Sequence, residues 1–397
     1  MSKKERLSLE VLSRVRRKEL TRSAAASLLD VSERQVYRQL ARSASLGASG
    51  LVHGLRGRPS NRGHTDGTRS EVIRLYKQRE YRDYGPQLFK EVLASQHGIT
   101  VSRETVRRWL MAAGLWSGRC APRRHRKRRE RREGIGTMVQ FDGSPHDWFE
   151  GRGPACCLLV AIDDCSSRVF MRFAPSEDTE HVMRTLWGYM ERYGIPQALY
   201  TDHGSAYGVS ANDARTEVAR ALERLGVRLI QAHSPQAKGR VERANRTHQD
   251  RLIKAMRREG IATIEAANAF LDRQYLAEHN ARFASTSGHA DVHRSTKTID
   301  FANIFCFECE RQVRNDYTVQ LDGHFYQLQR GEAPLPPPGR NVTVRKWLDG
   351  SRHLFWNENE LAFQPLDAKP IGSGRPGAER TTQPAANHPW RRRWATA

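Results

Sequence analysis

Apolar residues recur every three or four positions through residues 1–56, which is the spacing of one face of an α-helix. A helix is predicted over residues 22–29, followed by a tight turn and a second helix that begins at Ser32, whose hydroxyl can cap it. Two helices joined by a short turn are typical of a helix-turn-helix module, although any three-helix unit with a basic face would show the same pattern. If the second helix enters a major groove of DNA, its candidate contacts are Arg34, Gln35 and Arg38.

The same pattern returns over residues 69–118. Helices are predicted over 69–78 and 86–96, Gly98 ends the second of them, and Ser102 can cap a third. Two helix-turn-helix modules in tandem would extend a DNA-binding site, and therefore strengthen the DNA interpretation of both. The candidate contacts of this module are Arg103, Arg107 and Arg108.

Basic linkers precede and follow the second module. Residues 57–68 are rich in Gly, Pro and Arg, so Arg58 could enter a narrow minor groove, or the segment could be a flexible basic tether. The second linker, 119–135, has nine Lys or Arg among its first fourteen residues. Such a run cannot form a core, and we interpret it as a phosphate-binding arm.

From residue 136 the pattern changes to alternating strands and helices. A continuous apolar run over 156–162 is typical of a strand that is buried on both faces. The order of elements predicts a mixed α/β domain over 136–282. Its other strands are expected at 138–141, 169–173, 198–200 and 227–230, and its helices at 178–193, 214–225 and 238–257.

The C-terminal region has a third pattern. After a linker at 283–309, short strands dominate residues 310–365, and Asp322-Gly323 is a hairpin-turn signal. These strands predict a small β-barrel. Residues 366–397 are rich in Pro, Gly, Ala and Arg, and we expect them to be disordered.

The charge of the chain favours a nucleic-acid partner. Lys and Arg number 66 against 44 Asp and Glu, a formal charge of +22. Solubility does not require so one-sided a balance, which indicates a polyanionic partner, with nucleic acid ahead of membrane. The longest apolar run, 155–162, is far shorter than the roughly 20 residues that span a bilayer. We therefore expect a cytoplasmic protein associated with the nucleoid.

The six cysteines do not suggest a disulfide framework in a chain of 397 residues. Cys306 and Cys309 form a lone C-x-x-C, whereas structural zinc normally takes four ligands. Recruitment of His324 and His353 would complete such a site. The alternative, which we prefer, is that both cysteines are ordinary half-buried thiols.

Three acidic residues fall where the predicted elements would meet. Asp142 is expected at the end of the first strand, Asp202 after the fourth, and Glu242 within the long helix. Carboxylates from neighbouring strand ends and a facing helix form a cluster of hard oxygen ligands, which suits Mg²⁺ or Mn²⁺. Taken singly, such residues are most often turn residues or solvated ion-pair partners. Asp163 and Asp164 are rival acids, which we expect either to lie behind the metal ligands and support them or to be structural.

The sequence around these acids resembles the DDE integrase core, an RNase H-like fold of retroviral integrases and insertion-sequence transposases. The segments that carry the resemblance are FDGS at 141–144, TDHGS at 201–205 and SPQAKGRVERANRT at 234–247. The two aspartates are separated by 59 residues, and Asp202 and Glu242 by 39. The N-terminal part, with LVHGLRGRPSNR, is similar to ISNCY-type transposases.

The resemblance implies a transposase whose catalytic, metal-binding residues are Asp142, Asp202 and Glu242. It implies two Mg²⁺ or Mn²⁺ ions, Asp142 being shared by both. Water would first free a 3′-OH at the element end, and that 3′-OH would then attack target DNA, both by in-line phosphoryl transfer. The implied partners are double-stranded DNA, from element ends and target, and further copies of the chain on that DNA. Cations expected beside the acids are Lys238, Arg240, Arg243 and Arg246.

Two other functions use the same features. A catalytically inactive DNA-binding regulator derived from a transposase would keep the N-terminal modules, but the intact acidic triad argues against it. An RNase H-like nuclease would share the metal chemistry and would cleave DNA without joining it. It would not need two N-terminal DNA-binding modules.

Overall fold

The structure is a computed structural model, and it describes residues 1–54, 56–57, 63–118, 130–202, 216–231, 239–285, 288–331 and 334–366. The chain divides into two compact units at residue 120. The predicted DNA contacts Arg58 and Lys238, and all but one residue of the predicted disordered tail, lie outside the described residues.

The first helical cluster has the three helices of a helix-turn-helix module: α1 Lys3–Arg16, α2 Arg22–Leu29 and α3 Glu33–Leu46. A hydroxyl caps each helix, and the Ser32 side chain accepts the Gln35 amide N–H, as predicted. Asp30 makes the turn in the left-handed region, with φ 53°. The apolar faces enclose a small core of Val11, Leu12, Ala25, Ala26, Leu29 and Val36.

The second cluster repeats this arrangement with α4 Asp66–Tyr76, α5 Pro86–His97 and α6 Arg103–Ala112. Gly98 ends α5 with φ 64°, and Ser102 caps α6. Its core is more aromatic than that of the first cluster. In it, the rings of Tyr76 and Phe89 meet edge to face with their centroids 5.0 Å apart. The two clusters confirm the predicted helical N-terminal region.

A mixed sheet forms the centre of the second unit. Its described strands are β1 Val139–His146, β2 Cys156–Asp163, β3 Val169–Ala174, β4 Ala198–Thr201 and β5 Arg228–Gln231. They lie in the order β3-β2-β1-β4-β5. Strand β2 is antiparallel to both β1 and β3, whereas β4 is parallel to both β1 and β5. Strand β2 is buried along its whole length, which explains its continuous apolar run.

The described helices around this sheet are α7 Thr179–Tyr193, α8 Glu217–Arg224 and α9 Val241–Arg258. A further helical rod follows, made of α10 Ile264–Phe270, a π-helical turn over Leu271–Tyr275 and α11 Leu276–Phe283, and then a short α12 Phe301–Ile304. On this rod, the Asn268 side chain bonds both the N–H and the C=O of Phe173 in β3, and the Asn280 side chain does the same for Val169. These side-chain amides provide hydrogen-bond partners for backbone groups at the outer edge of the sheet.

Strand β1 is longer than predicted. The sequence predicted a strand over residues 138–141 with Asp142 at its end, and the following Gly143-Ser144-Pro145 has the composition of a turn. In the structure β1 pairs with β2 at every position from Val139 to His146. Pairing with a fully buried neighbour extends the strand past the local turn signal, and Asp142 lies in the middle of it.

The predicted C-terminal β-barrel is not found. The described strands form two open sheets that share one core, so the region is a small sandwich. A closed barrel requires every strand to pair with a neighbour on both sides. Among the residues that the structure describes, no hydrogen-bonded ladder joins the edges of these two sheets. One sheet has the order β11-β10-β9-β6 and the other β12-β8-β7. The strands are β6 Cys306–Gln312, β7 Thr318–Leu321, β8 His324–Leu328, β9 Asn341–Trp347, β10 Arg352–Trp356, β11 Asn359–Leu361 and β12 Phe363–Leu366.

None of the helices in the described ranges combines the length and the apolar character needed to cross a membrane.

Candidate active site

Asp142 and Asp202 occupy equivalent positions on neighbouring strands. Strands β1 and β4 are parallel, and Gln140 pairs with Tyr200. The two aspartates lie two residues beyond this pair, Asp202 directly after the end of β4. Residues in register on parallel strands share a face of the sheet, and neighbouring strands are about 4.8 Å apart. The register therefore aligns the two predicted metal ligands.

Helix α9 runs beside β1 and contacts it through three polar pairs, which join every fourth residue of the helix to every second residue of the strand. Four helical residues rise about 6 Å and two strand residues about 6.6 Å, so the two elements stay in step. The pairs are Val241 N–H to Gln140 Oε1 (3.4 Å), Asn245 Nδ2 to Asp142 Oδ2 (3.0 Å) and Gln249 Nε2 to Ser144 Oγ (3.3 Å).

Glu242 belongs to the same part of α9. It lies three residues before Asn245, whose side chain donates to Asp142, and residues three apart on a helix have Cβ atoms about 5–6 Å apart. Glu242 is exposed, whereas Asn245 is only 8 % exposed. The Oδ1 atom of Asn245 is buried and has no hydrogen-bond partner in the described part of the chain. An unsatisfied oxygen thus lies beside the Asp142 carboxylate.

The three predicted ligands are not gathered around one point. Among the residues that the structure describes, no group of three or more His, Cys, Asp or Glu could hold a metal ion. Asp142 and Asp202 are half-buried and Glu242 faces solvent. The segments after Asp202 and before α9, 203–215 and 232–238, lie outside the described residues. The backbone thus aligns the three positions without closing their side chains on a common ion.

A fourth carboxylate, that of Glu177, lies against Gly143, the residue directly after Asp142 in β1. A side chain at residue 143 would overlap the Glu177 carboxylate and push this flexible end aside. Burial, followed by the charge of Glu177, raises the pKa of the nearby Cys157 thiol to about 12. Sequence reasoning missed Glu177, which lies in the turn between β3 and α7, and the glycine directly after Asp142 was the available signal.

Asp163 is the last residue of β2 and Asp164 follows it, and both are fully buried. Asp163 accepts the Gly136 and Ser166 amides at 2.7 and 2.6 Å, so it holds a turn. Asp164 lies 2.8 Å from Arg240 Nε, and the Arg240 side chain is only 14 % exposed. Arg240, predicted to contact DNA, is therefore directed into the protein.

The other predicted DNA contacts that the structure describes differ in exposure. Arg107 is half-buried and forms an ion pair with Glu104 at 2.6 Å, and Gln35 is also half-buried. Arg243 donates through Nε to the Gly239 carbonyl at 2.9 Å, although its side chain is exposed. The remaining residues are exposed and available to a partner: Arg34, Arg38, Arg103, Arg108 and Arg246.

The C-x-x-C cysteines lie on β6. Burial raises the pKa of the Cys306 thiol to about 11, and it also raises the pKa of Cys309. Neither thiol belongs to a metal-holding group within the described part of the chain. Cys306 contacts Arg220 and Glu308 and is part of the contact between α8 and the C-terminal strands.

Comparison with known families matches both regions of the chain. Residues 138–235 match the integrase core domain, and residues 9–66 match a winged helix-turn-helix domain. The catalytic core domain of bovine immunodeficiency virus integrase aligns with 35 % of this chain and 86 % of its own, at 23 % identity and a TM-score of 0.28. The simian T-cell lymphotropic virus intasome structure aligns with 74 % of this chain and 96 % of its own, at 14 % identity and a TM-score of 0.34.

Two bacterial relatives are similar over most of their length. The transposase for insertion sequence IS1202 of Streptococcus pneumoniae is 26 % identical, covering 94 % of this chain and 90 % of its own. The y4bF protein of Sinorhizobium fredii, provisionally named a transposase, is 39 % identical over 376 residues, covering 92 % of this chain and 82 % of its own. Identity at this level across both DNA-binding and core regions shows that the chain belongs to the family of integrase-core transposases.

Proposed function

We propose that this protein is a DNA transposase that cleaves the ends of its element and joins them to target DNA through Asp142, Asp202 and Glu242. The observation that carries the proposal is the common register of β1, β4 and α9. It aligns two aspartates on adjacent strands and places Glu242 one helical turn from Asn245, which donates to Asp142 at 3.0 Å.

The residues at this position fit two divalent cations. Carboxylate and amide oxygens are hard ligands that suit Mg²⁺ or Mn²⁺, and the buried Asn245 Oδ1 offers a further oxygen to which no described residue donates a hydrogen bond. Asp142, Asp202 and Glu242 would hold the ions. Bound there, the ions would activate the attacking oxygen and stabilise charge on the phosphate and leaving group.

The side chains close to the triad have distinct tasks in this proposal. Asn245 orients the Asp142 carboxylate through its amide N–H. The exposed Arg243 and Arg246 would contact the phosphates of the bound DNA end. Since like charges repel, the three carboxylates come together only when cations and DNA are present. The exposed Glu242 would move furthest.

The N-terminal helices would select the element ends. Arg34, Gln35 and Arg38 lie near the start of α3, the helix after the turn of the first module, and from such a position side chains would reach base edges in a major groove. Transposition joins two element ends to one target, so we expect at least two copies of the chain on DNA.

The test uses the full-length protein, Mn²⁺ and a plasmid that carries the two DNA segments flanking its coding region. The wild type is expected to cleave at the element ends and to join them to a second plasmid. Asp142→Asn, Asp202→Asn and Glu242→Gln should each reduce both reactions about 1000-fold, because several kcal/mol of charge stabilisation are lost.

Asp250→Asn is the matched control. Asp250 is also a carboxylate on α9, but it is 53 % exposed and paired with Lys254 at 2.5 Å, so its loss should change the rate by less than about twofold. A wild type that binds the ends and is as inert as Asp142→Asn would instead be a DNA-binding regulator. Cleavage without joined products would indicate a nuclease.

A further inference from the structure

The buried Asp164 carboxylate is held between β1 and the start of α9. It is 0 % exposed and accepts Gln140 Nε2 at 2.8 Å and the Arg132 backbone N–H at 3.1 Å. Its Oδ1 atom lies 2.8 Å from Arg240 Nε. The Asp164 backbone N–H donates to the Met138 carbonyl at 3.0 Å, which fixes the residue to the beginning of β1.

The start of α9 has an unusual cap. Helices commonly begin at a Ser, Thr, Asp or Asn whose side chain accepts an amide of the first turn, but Arg240 precedes α9 and makes no such bond. The first amide, Val241 N–H, is accepted by Gln140 Oε1 at 3.4 Å. Gln140 can face the helix with its oxygen because its Nε2 donates to Asp164. Asp164 therefore holds the helix start through both Arg240 and Gln140.

These contacts flank the two proposed catalytic carboxylates. Gln140 lies two residues before Asp142 on the same face of β1, and Val241 directly precedes Glu242. Fixing Gln140 to Val241 sets the position of α9 along β1. Movement of the helix start would carry Glu242 away from Asp142, although the Asn245 contact would still hold the next turn.

We propose that Asp164 and Arg240 form a clamp that positions Glu242 relative to Asp142, and that Arg240 acts through this clamp without contacting DNA. This assignment rests on the proposed transposase activity. Asp164 and Arg240 are positioning residues, since neither would touch the cations or the substrate. A carboxylate removed from water keeps its charge only with well-placed partners, so it holds those partners in a narrow range of geometry.

Asp164→Asn and Arg240→Gln test the clamp in the full-length protein, with Asp163→Asn as the matched control. Asp163 is adjacent and equally buried, but its bonds go to Gly136 and Ser166. Hydrogen exchange is measured without metal in peptides that span residues 241–249. Both clamp variants should exchange faster there than wild type, and Asp163→Asn should not.

The second readout is the Mn²⁺ concentration that gives half-maximal cleavage. Loss of a residue that orients metal ligands typically weakens metal binding or activity 10- to 100-fold, so we expect at least a 10-fold higher requirement in either clamp variant. The double variant should have the same Mn²⁺ requirement and hydrogen exchange as the single variants, because both substitutions disrupt the same contact. Affinity for element-end DNA should stay within about twofold in all of them.

Each failure has its own pattern. If Arg240 contacts DNA, Arg240→Gln alone will weaken binding to element-end DNA and leave the Mn²⁺ requirement unchanged. The slope of the logarithm of affinity against the logarithm of salt concentration will then fall by about one. Unchanged exchange and an unchanged Mn²⁺ requirement in both clamp variants, or equal effects in Asp163→Asn, would overturn the clamp while leaving the transposase activity intact. A wild type without cleavage would refute the proposed function, and exchange at 241–249 would still decide whether the clamp exists.

Discussion

Replacing Asn245 by alanine should separate catalysis from stability. Asn245 is 8 % exposed, and its Nδ2 donates to Asp142 at 3.0 Å, while its buried Oδ1 has no hydrogen-bond partner among the residues described. A hydrogen bond to a charged group is worth about 1.5–3 kcal/mol. If that energy orients Asp142 in the transition state, Asn245→Ala should slow cleavage about 10- to 150-fold, since 1.36 kcal/mol is tenfold in rate.

Stability should change far less. The substitution removes the bond to Asp142, but it also removes a buried, unsatisfied oxygen that costs about 1–3 kcal/mol, and alanine favours the helix. The two effects largely offset each other, so the free energy of unfolding should stay within about 1 kcal/mol of wild type.

Asn268→Ala provides the opposite case. Both amide atoms of Asn268 bond the Phe173 backbone, at 2.8 and 3.0 Å. Its loss should destabilise the protein by about 2 kcal/mol, while the folded fraction cleaves normally. The assays are single-turnover cleavage of an end duplex in Mn²⁺ and thermal unfolding followed by circular dichroism. The reasoning would be refuted if Asn245→Ala cleaved at a rate within twofold of wild type. It would also be refuted if the cleavage rate fell no further than the fraction of folded protein.

Three further changes test other parts of the structure. Burial lowers the pKa of His279 from 6.5 to about 4, so the unfolded chain binds a proton that the folded chain resists. Urea unfolding should therefore show about 2 kcal/mol less stability at pH 5 than at pH 7, and His279→Phe should remove that part of the dependence. Glu308 contacts Arg224 at 2.5 Å and the 5 %-exposed Arg345 at 2.7 Å, so Glu308→Gln should lower stability by about 3 kcal/mol in thermal unfolding, whereas the exposed Glu310→Gln should change it by less than about 0.5 kcal/mol. Gly143→Ala should displace the Glu177 carboxylate. Because this is the flexible end of a side chain and lies on the face of β1 opposite to the Asp142 side chain, Mn²⁺-dependent cleavage should stay within about twofold of wild type, and the free energy of unfolding within about 1 kcal/mol in thermal unfolding.

Local signals predicted the helices of the N-terminal region well. The bounds of α2 are those expected, and Ser32 and Ser102 cap the helices that follow them. A cap depends on a hydroxyl and an amide three residues apart, so it can be inferred without tertiary structure.

Long-range pairing decided what the local pattern could not. Asp142 was expected at a strand end, because the turn-like residues after it conceal the pairing of β1 with β2. The C-terminal strands were found in sequence, yet whether they close into a barrel depends on which edges pair, and they form two open sheets. Neither property is encoded in a short window of residues.

The spacing of the acids predicted their alignment but not the contacts that maintain it. Arg240 stands among other basic residues that suit DNA, and only the fold shows Asp164 at 2.8 Å. The sequence did not predict Glu177 or the hydrogen bond from Asn245 to Asp142 for the same reason. Asn245 and Asp142, for example, are 103 residues apart in the chain. The role of the three acids as metal ligands stays a prediction.

The central claim is that Asp142, Asp202 and Glu242 bind the same pair of cations. The most direct measurement is anomalous diffraction from Mn²⁺ in crystals of the full-length protein bound to its element-end DNA. The account predicts two manganese peaks, each about 2 Å from carboxylate oxygens, with Asp142 touching both and Asp202 and Glu242 one each. Manganese bound elsewhere, or a Glu242 carboxylate that stays out of reach of both ions in the DNA complex, would contradict it.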